Sequence, residues 1–237
     1  MEIVPLGDSA LIVRVRDRFE DAPDKTLTEV LGTFRRLQDA AIPGVIELAP
    51  AYTTVAVFFD PTIVANEGPK SDQALDWLTD RIRIALSSVA AVYDRRSAAR
   101  SIEIPVCYDP EFAFDLENVA HHAQISSREV VDLHSAAEYR VSCIGFVPGF
   151  PFLAGLPRKL ATPRRATPRK EIPAGSVGIG GAQTGIYPLR SPGGWNLIGR
   201  TPVRLFDPEK TPPAFLRAGD RVHFRAITRE EFEALAP

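Results

Sequence analysis

The sequence predicts a two-layer α+β domain over residues 1–93, followed by an all-β, closed-barrel domain over residues 101–237. Three observations predict this. The order strand-strand-helix occurs twice in the first part of the chain. Residues 94–100 (DRRSAAR) are charged and lack hydrophobic periodicity, which marks a boundary. Beyond that point, short apolar runs alternate with loops rich in proline and glycine.

Taken in order, residues 2–5 and 10–16 flank Leu6-Gly7-Asp8-Ser9 and read as two strands with a turn. Asp24 is placed to cap a helix whose apolar face is Leu27, Val30, Leu31, Phe34, Leu37 and Ala41, and Pro43-Gly44 stops it. Residues 45–48 and 53–59 are two strand-like runs joined through Pro50-Ala51-Tyr52. Ser71 is placed to cap a second helix with Leu75, Leu78, Ile82 and Leu86 on one face. Residues 101–107 open the second domain as a β-rich run. Residues 115–123 and 126–137 read as short helices, the second with a capping box formed by Ser126 and Glu129. Strands are expected at 139–144, 203–206 and 221–225, and Thr228 with Glu231 caps a last short helix.

The stretch 143–206 carries most of the information. Of 21 prolines and 16 glycines, twelve and eleven fall between residues 143 and 213. Such density usually signals low complexity. Here, however, it is threaded with Ile144, Phe146, Phe150, Phe152, Ile172, Val177, Ile179, Tyr187, Trp195 and Leu197. A chain that buries this much apolar side chain is folded, and its prolines and glycines set particular turns. Charge is equally lopsided: nine Lys and Arg against Glu171 alone give residues 143–206 a net +8, whereas residues 1–142 sum to −9 and the whole chain to −2.

Several function classes are excluded. No P-loop is present, and Gly178-Ile179-Gly180-Gly181-Ala182-Gln183 places Gln where a dinucleotide fingerprint needs its third glycine. Ala174-Gly175-Ser176-Val177-Gly178 only approaches a nucleophile elbow, so Ser176 reads as a turn residue. The helix pair at 115–138 is spaced like a DNA reader, but five acids against Arg128 repel phosphates, which argues against nucleic acid. His121, His122, His134 and His223 form no metal-ligand pattern, and Cys107 and Cys143 read as unpaired core residues. No apolar run reaches the length of a membrane span, and Met1 leads directly into Glu2-Ile3-Val4 without a targeting pattern, which predicts a cytoplasmic protein.

What is left is the set of Gly/Pro loops and their polar insertions. The candidate substrate- or anion-binding residues are Arg164, Arg169, Gly180, Gly181, Gln183, Thr184, Tyr187, Ser191, Trp195 and His134, with Phe146, Pro148 and Phe150 as a pocket wall. Arg165, Lys170, Arg190, Arg200 and Asn196 add further charge and hydrogen-bonding capacity. Arginine forks recognise carboxylate and phosphate, and a basic groove concentrates small anions. The runs GFVPGFPFLAGLP, ATPRRATPR and IPAGSVGIGGAQTGIYPLRSPGGWNLIGRTP, together with GDSALIV, PAYTTVAVFFDP, IPVCYDPEFAFDL and HSAAEYRV, closely resemble the KipI/allophanate hydrolase subunit 1 family over nearly the whole chain. Small departures occur at Ser142-Cys143-Ile144 and Val147.

That resemblance implies a cyclophilin-like barrel for the second domain. It also implies work beside two companion proteins: a KipA-type, biotin-dependent carboxyltransferase-like one and a LamB/YcsF-like one. The activity implied is the ATP-dependent opening of 5-oxo-L-proline to L-glutamate by a 5-oxoprolinase complex, with no cofactor held by this chain and ATP used at a partner or interface. Two other family roles stand beside it: inhibition of a sensor histidine kinase, and the carboxyltransferase part of a urea carboxylase/allophanate hydrolase system.

Overall fold

The computed structural model describes residues 1–19, 21–67, 73–87 and 100–236. The expected boundary at residues 94–99 and the expected cap Ser71 lie outside the described residues. The chain divides into two compact units.

In the first unit the elements run β1 (Glu2–Pro5), β2 (Ala10–Arg14), α1 (Pro23–Ala40), β3 (Val45–Ala51), β4 (Thr54–Phe59), α2 (Pro61–Glu67) and α3 (Ala74–Ser87). The four strands form an antiparallel sheet in the order β1-β2-β4-β3. Strand β4 alternates strictly, with Val55, Val57 and Phe59 buried, because a pleated strand sends successive side chains to opposite faces. Leu11 and Val13 join them, and the helices cover this face with Val30, Leu37, Leu78 and Ile82. Two details differ from the sequence reading. The N-cap of α1 is Ala22 followed by Pro23, so Asp24 lies in the first turn, where its charge suits the helix dipole. Helix α2 was not expected; Asp60 starts it by accepting from the Thr62 and Ile63 N–H groups.

The second unit runs β5 (Ser101–Cys107), α4 (Leu116–Ala123), α5 (Ser127–Ala136), β6 (Glu138–Ile144), β7 (Pro151–Ala154), a 3-10 turn (Arg158–Leu160), β8 (Arg169–Ile172), β9 (Ser176–Gly180), β10 (Gln183–Ile186), β11 (Ser191–Gly193), β12 (Asn196–Arg200), β13 (Arg221–Ile227) and α6 (Arg229–Leu235). Seven strands close a barrel in the order β6-β13-β5-β12-β9-β10-β7, with β7 returning to β6. Strands β8 and β11 form a separate two-stranded ribbon. Inside are Ile104, Val106, Tyr139, Val141, Leu153, Val177, Ile179, Ile198 and Phe224.

The barrel is mixed rather than all-β. Strand β13 runs parallel to β5 and antiparallel to β6, and a parallel neighbour requires a long crossover. Helices α4, α5 and α6 belong to the same unit, two of them started by complete capping boxes at Ser126/Glu129 and Thr228/Glu231. The strand expected at 203–206 does not form; a single bridge joins Phe206 to Ala214. Pro202 offers no N–H, and the Val203 N–H is taken by Thr201 Oγ1 at 3.2 Å, so local bonds displace the ladder.

Candidate functional site

Helix α4 begins at a buried carboxylate. Asp115 has 4% of its side chain exposed. It receives Arg165 Nη1 at 2.6 Å, Arg169 Nη1 and Nη2 at 2.7 and 2.9 Å, and the Leu197 N–H at 2.7 Å. Burial alone would raise this carboxyl. The Arg169 and Leu197 hydrogen bonds, with the charges of both arginines, outweigh burial and hold it below the ordinary carboxylate value. One carboxylate thus faces two guanidiniums, and the cluster keeps a surplus of positive charge.

The surplus borders a cleft of about 410 Å³ lined by residues 163–167 with Asn118 and Asn196. Asn196 is buried and fully committed: Nδ2 donates to the Pro163 carbonyl at 2.9 Å and the Ile179 carbonyl at 3.2 Å, while Oδ1 accepts from Asn118 Nδ2 at 3.0 Å. Asn118 is exposed on α4 and keeps one N–H and its carbonyl oxygen. Arg165 has a buried Nε without a hydrogen-bond partner. Arg164 is exposed, its guanidinium 5.8 Å from the centroid of the Trp195 ring.

A second polar group fills the barrel interior. His134 is fully buried. Thr184 Oγ1 donates to the Gly178 carbonyl at 3.0 Å, so it accepts from His134 Nε2–H at 3.0 Å, and Nδ1 accepts from the Tyr108 hydroxyl at 2.8 Å. The imidazole is therefore the neutral Nε2–H form, stacked on Phe224 with ring centroids 4.6 Å apart. Burial lowers its pKa to about 3. A closed hydrogen-bond chain without exposure locks α5 to the barrel wall.

Three of the remaining expected site residues form an aromatic core. Phe150, Tyr187 and Trp195 are buried and meet edge to face, with Phe150 centroids 5.1 and 5.5 Å from those of Tyr187 and Trp195. Gly180 makes room for this packing, since a Cβ there would lie 2.5 Å from the Trp195 ring. Gly181 turns the β9–β10 hairpin at φ 65° and exchanges two backbone bonds with Thr162. Gln183 is half-buried at the start of β10, Pro148 is exposed, and Ser191 is buried with its hydroxyl unpartnered. Ser176 is the first residue of β9 and is buried, not a turn residue. Phe146 is 61% exposed at φ 67°, a conformation that costs a bulky residue about 1–3 kcal/mol. Its edge contacts on Phe150 and Tyr187 offset part of that.

The expected residues therefore do not converge: Arg164 lies at the cleft, His134 and Thr184 inside the barrel, Phe150, Tyr187 and Trp195 in an aromatic core, and Phe146 and Pro148 at the surface. Arg169 is not a free cation but one jaw of the Asp115 clamp.

A match to the family described as carboxyltransferase domain, subdomain C and D, extends over residues 1–216. The chain belongs to the carboxyltransferase C/D family. Within it, the chain is 42% identical to the B subunit of 5-oxoprolinase from Bacillus subtilis (strain 168), over 98% of this chain and 95% of that one. The same name is carried by a protein of Escherichia coli O157:H7, 42% identical over 92% of this chain and 93% of that one. Among solved structures, TTHA0988 has a TM-score of 0.74 and 34% identity, covering 92% of this chain; this carboxyltransferase C/D chain spans only 40% of that longer molecule.

Asp115, Asn118 and Thr167 escaped the sequence reading of this carboxyltransferase C/D chain. Asp115 stands where a helix cap is expected, yet its side chain makes no cap bond because the arginines and Leu197 occupy it. Only the approach of α4 to the 163–169 loop reveals that.

Proposed function

We propose that this chain is the B subunit of a 5-oxoprolinase-type complex that opens 5-oxo-L-proline to L-glutamate at the expense of ATP. The observation that carries the reading is the 42% identity sustained over 98% of the chain with a protein of that name. Its partners would be a KipA-type, carboxyltransferase-like protein and a LamB/YcsF-like protein, acting together with it in the cytoplasm.

The chemistry suits the charge distribution. A lactam resists water because resonance stabilises its amide, and opening it builds negative charge on the carbonyl oxygen. ATP supplies the driving force by activating that oxygen. This chain contributes preorganised cations beside a polar cleft, where developing charge is stabilised without reorganisation. We assign the ATP step to a partner or to the interface with one, because no phosphate-binding loop is present in the sequence.

Co-expression with the two companion proteins should yield ATP-dependent release of L-glutamate from 5-oxo-L-proline, whereas the purified chain alone should release none. Turnover by the isolated chain at the rate of the complex, or an assembled three-component complex without any turnover, would overturn the reading.

A further inference from the structure

The cleft beside Asp115 has two features that a scaffold does not need. The Asp115 carboxylate is shared by Arg165 and Arg169, and Arg164 adds a third guanidinium, so the local balance favours an anion. Arg165 also lines the cleft with an Nε–H that is buried and has no acceptor. The Arg165 guanidinium is therefore incompletely paired within the chain, although its Nε is itself closed to solvent. A carboxylate is a planar acceptor matched to a guanidinium fork.

The asparagines that line the same cleft offer a different chemistry. Asn196 has both amide hydrogens and its oxygen engaged, and its role is to hold Asn118 and the Pro163 carbonyl in place. Asn118 is thereby oriented by one N–H while its other N–H and its carbonyl oxygen stay available. The free N–H donates to a carbonyl and the free oxygen accepts from an N–H, the complementary pair that a cis amide carries side by side. Lactams are cis amides by ring constraint.

We propose that this cleft is a recognition site for a small carboxylate that carries a cis-amide edge, with Arg164 and Arg165 taking the carboxylate and Asn118 the amide. The choice of 5-oxo-L-proline as the natural occupant rests on the reading above; the site's chemistry does not. Its volume of about 410 Å³ accommodates a five-membered ring with room for water.

The test titrates the purified full-length chain with four probes: 5-oxo-L-proline, 2-pyrrolidone (amide without carboxylate), cyclopentanecarboxylate (carboxylate without amide) and inorganic phosphate. Calorimetry gives the affinities, and the Asn118 and Asn196 side-chain amide resonances report the place of binding. Both half-ligands should bind about tenfold or more weakly than 5-oxo-L-proline, since each lacks a bond worth about 1.4 kcal/mol or more. Arg164→Ala should weaken 5-oxo-L-proline and cyclopentanecarboxylate about tenfold and leave 2-pyrrolidone unchanged; Asn118→Ala should do the opposite for the half-ligands. Arg164→Ala should keep the wild-type melting temperature, whereas Asn118→Ala leaves the buried Asn196 Oδ1 without its donor and should melt lower; a single cooperative melt confirms that each variant folds. Absence of binding to the wild-type chain, equal affinities in both variants, or phosphate binding as tightly as 5-oxo-L-proline overturns the site. In the assembled complex the same variants should raise KM more than they lower kcat. Wild-type KM in both variants of an active complex overturns the site but leaves the proposed function standing. Binding in the cleft by a chain whose complex has no turnover overturns the function but leaves the site.

Discussion

Asp115 is the residue on which the second unit's polar organisation turns. Its buried carboxylate is tolerable because two arginines and the Leu197 N–H satisfy it, and the same bonds tie α4 to the β8 and β12 region. This changes what a substitution at Arg169 should do. As an exposed anion binder, its loss would spare stability. As half of a clamp, Arg169→Ala leaves a buried carboxylate with one guanidinium fewer and should cost about 2 kcal/mol. That corresponds to a fall of roughly 4–8 °C in melting temperature, whereas Arg164→Ala should stay within about 0.5 kcal/mol. Thermal melts of the two variants check this, and an Arg169→Ala chain melting with the wild type would show that Arg165 and Leu197 suffice. Both arginines stand in one Pro-rich run, ATPRRATPR, so the sequence showed a shared setting. Which guanidinium meets a carboxylate about 50 residues away was not legible there, because the partner is supplied by another element.

At the scale of elements, α5 is fastened to the barrel by the Tyr108–His134–Thr184–Gly178 chain and the stack on Phe224. The consequence is a pH dependence. His134 has an ordinary pKa of 6.5 unfolded and about 3 folded, so the unfolded chain binds more protons between those values. Stability contributed by this residue is fully present above about pH 6.5 and is lost as pH falls toward 3. Between pH 7 and pH 5 the loss should be about 2 kcal/mol, at 1.36 kcal/mol per unit below the unfolded value. Urea unfolding at pH 7, 6 and 5 of the wild type and of His134→Phe measures it. The variant starts less stable, having orphaned Tyr108 and Thr184, but should show a flatter profile; parallel profiles would refute the assignment. The helix itself was readable, since Ser126 and Glu129 announce its start. The burial of its last turn was not, because His134 reads as a polar residue near a helix end until β13 and β10 close over it.

At the scale of the molecule, two compact units are present, but independence of folding is a separate property. We propose that they are domains joined through the charged, aperiodic run at 94–100. Limited proteolysis should then cut there first and release a C-terminal fragment that keeps β-type circular dichroism and its own cooperative melt. A fragment that unfolds on release, or a first cut within the β9–β10 hairpin, would count against two domains.

Local patterns in the sequence determined the strand-strand-helix repeat, the strict alternation of β4, both capping boxes and the β5 run 101–107, because each depends on neighbours within a few residues. They also placed the basic surplus in residues 143–206, since charge is additive along a chain. The tertiary structure alone decided that β13 lies parallel to β5, that His134 is sealed inside the barrel, and that Gly180 serves Trp195. It alone brought Asp115 and Asn118 of one segment to Arg164, Arg165 and Asn196 of others. The physical reason is common to all of these: a hydrogen bond or an ion pair depends on separation in space, and barrel closure makes neighbours of residues whose distance along the chain carries no trace of it.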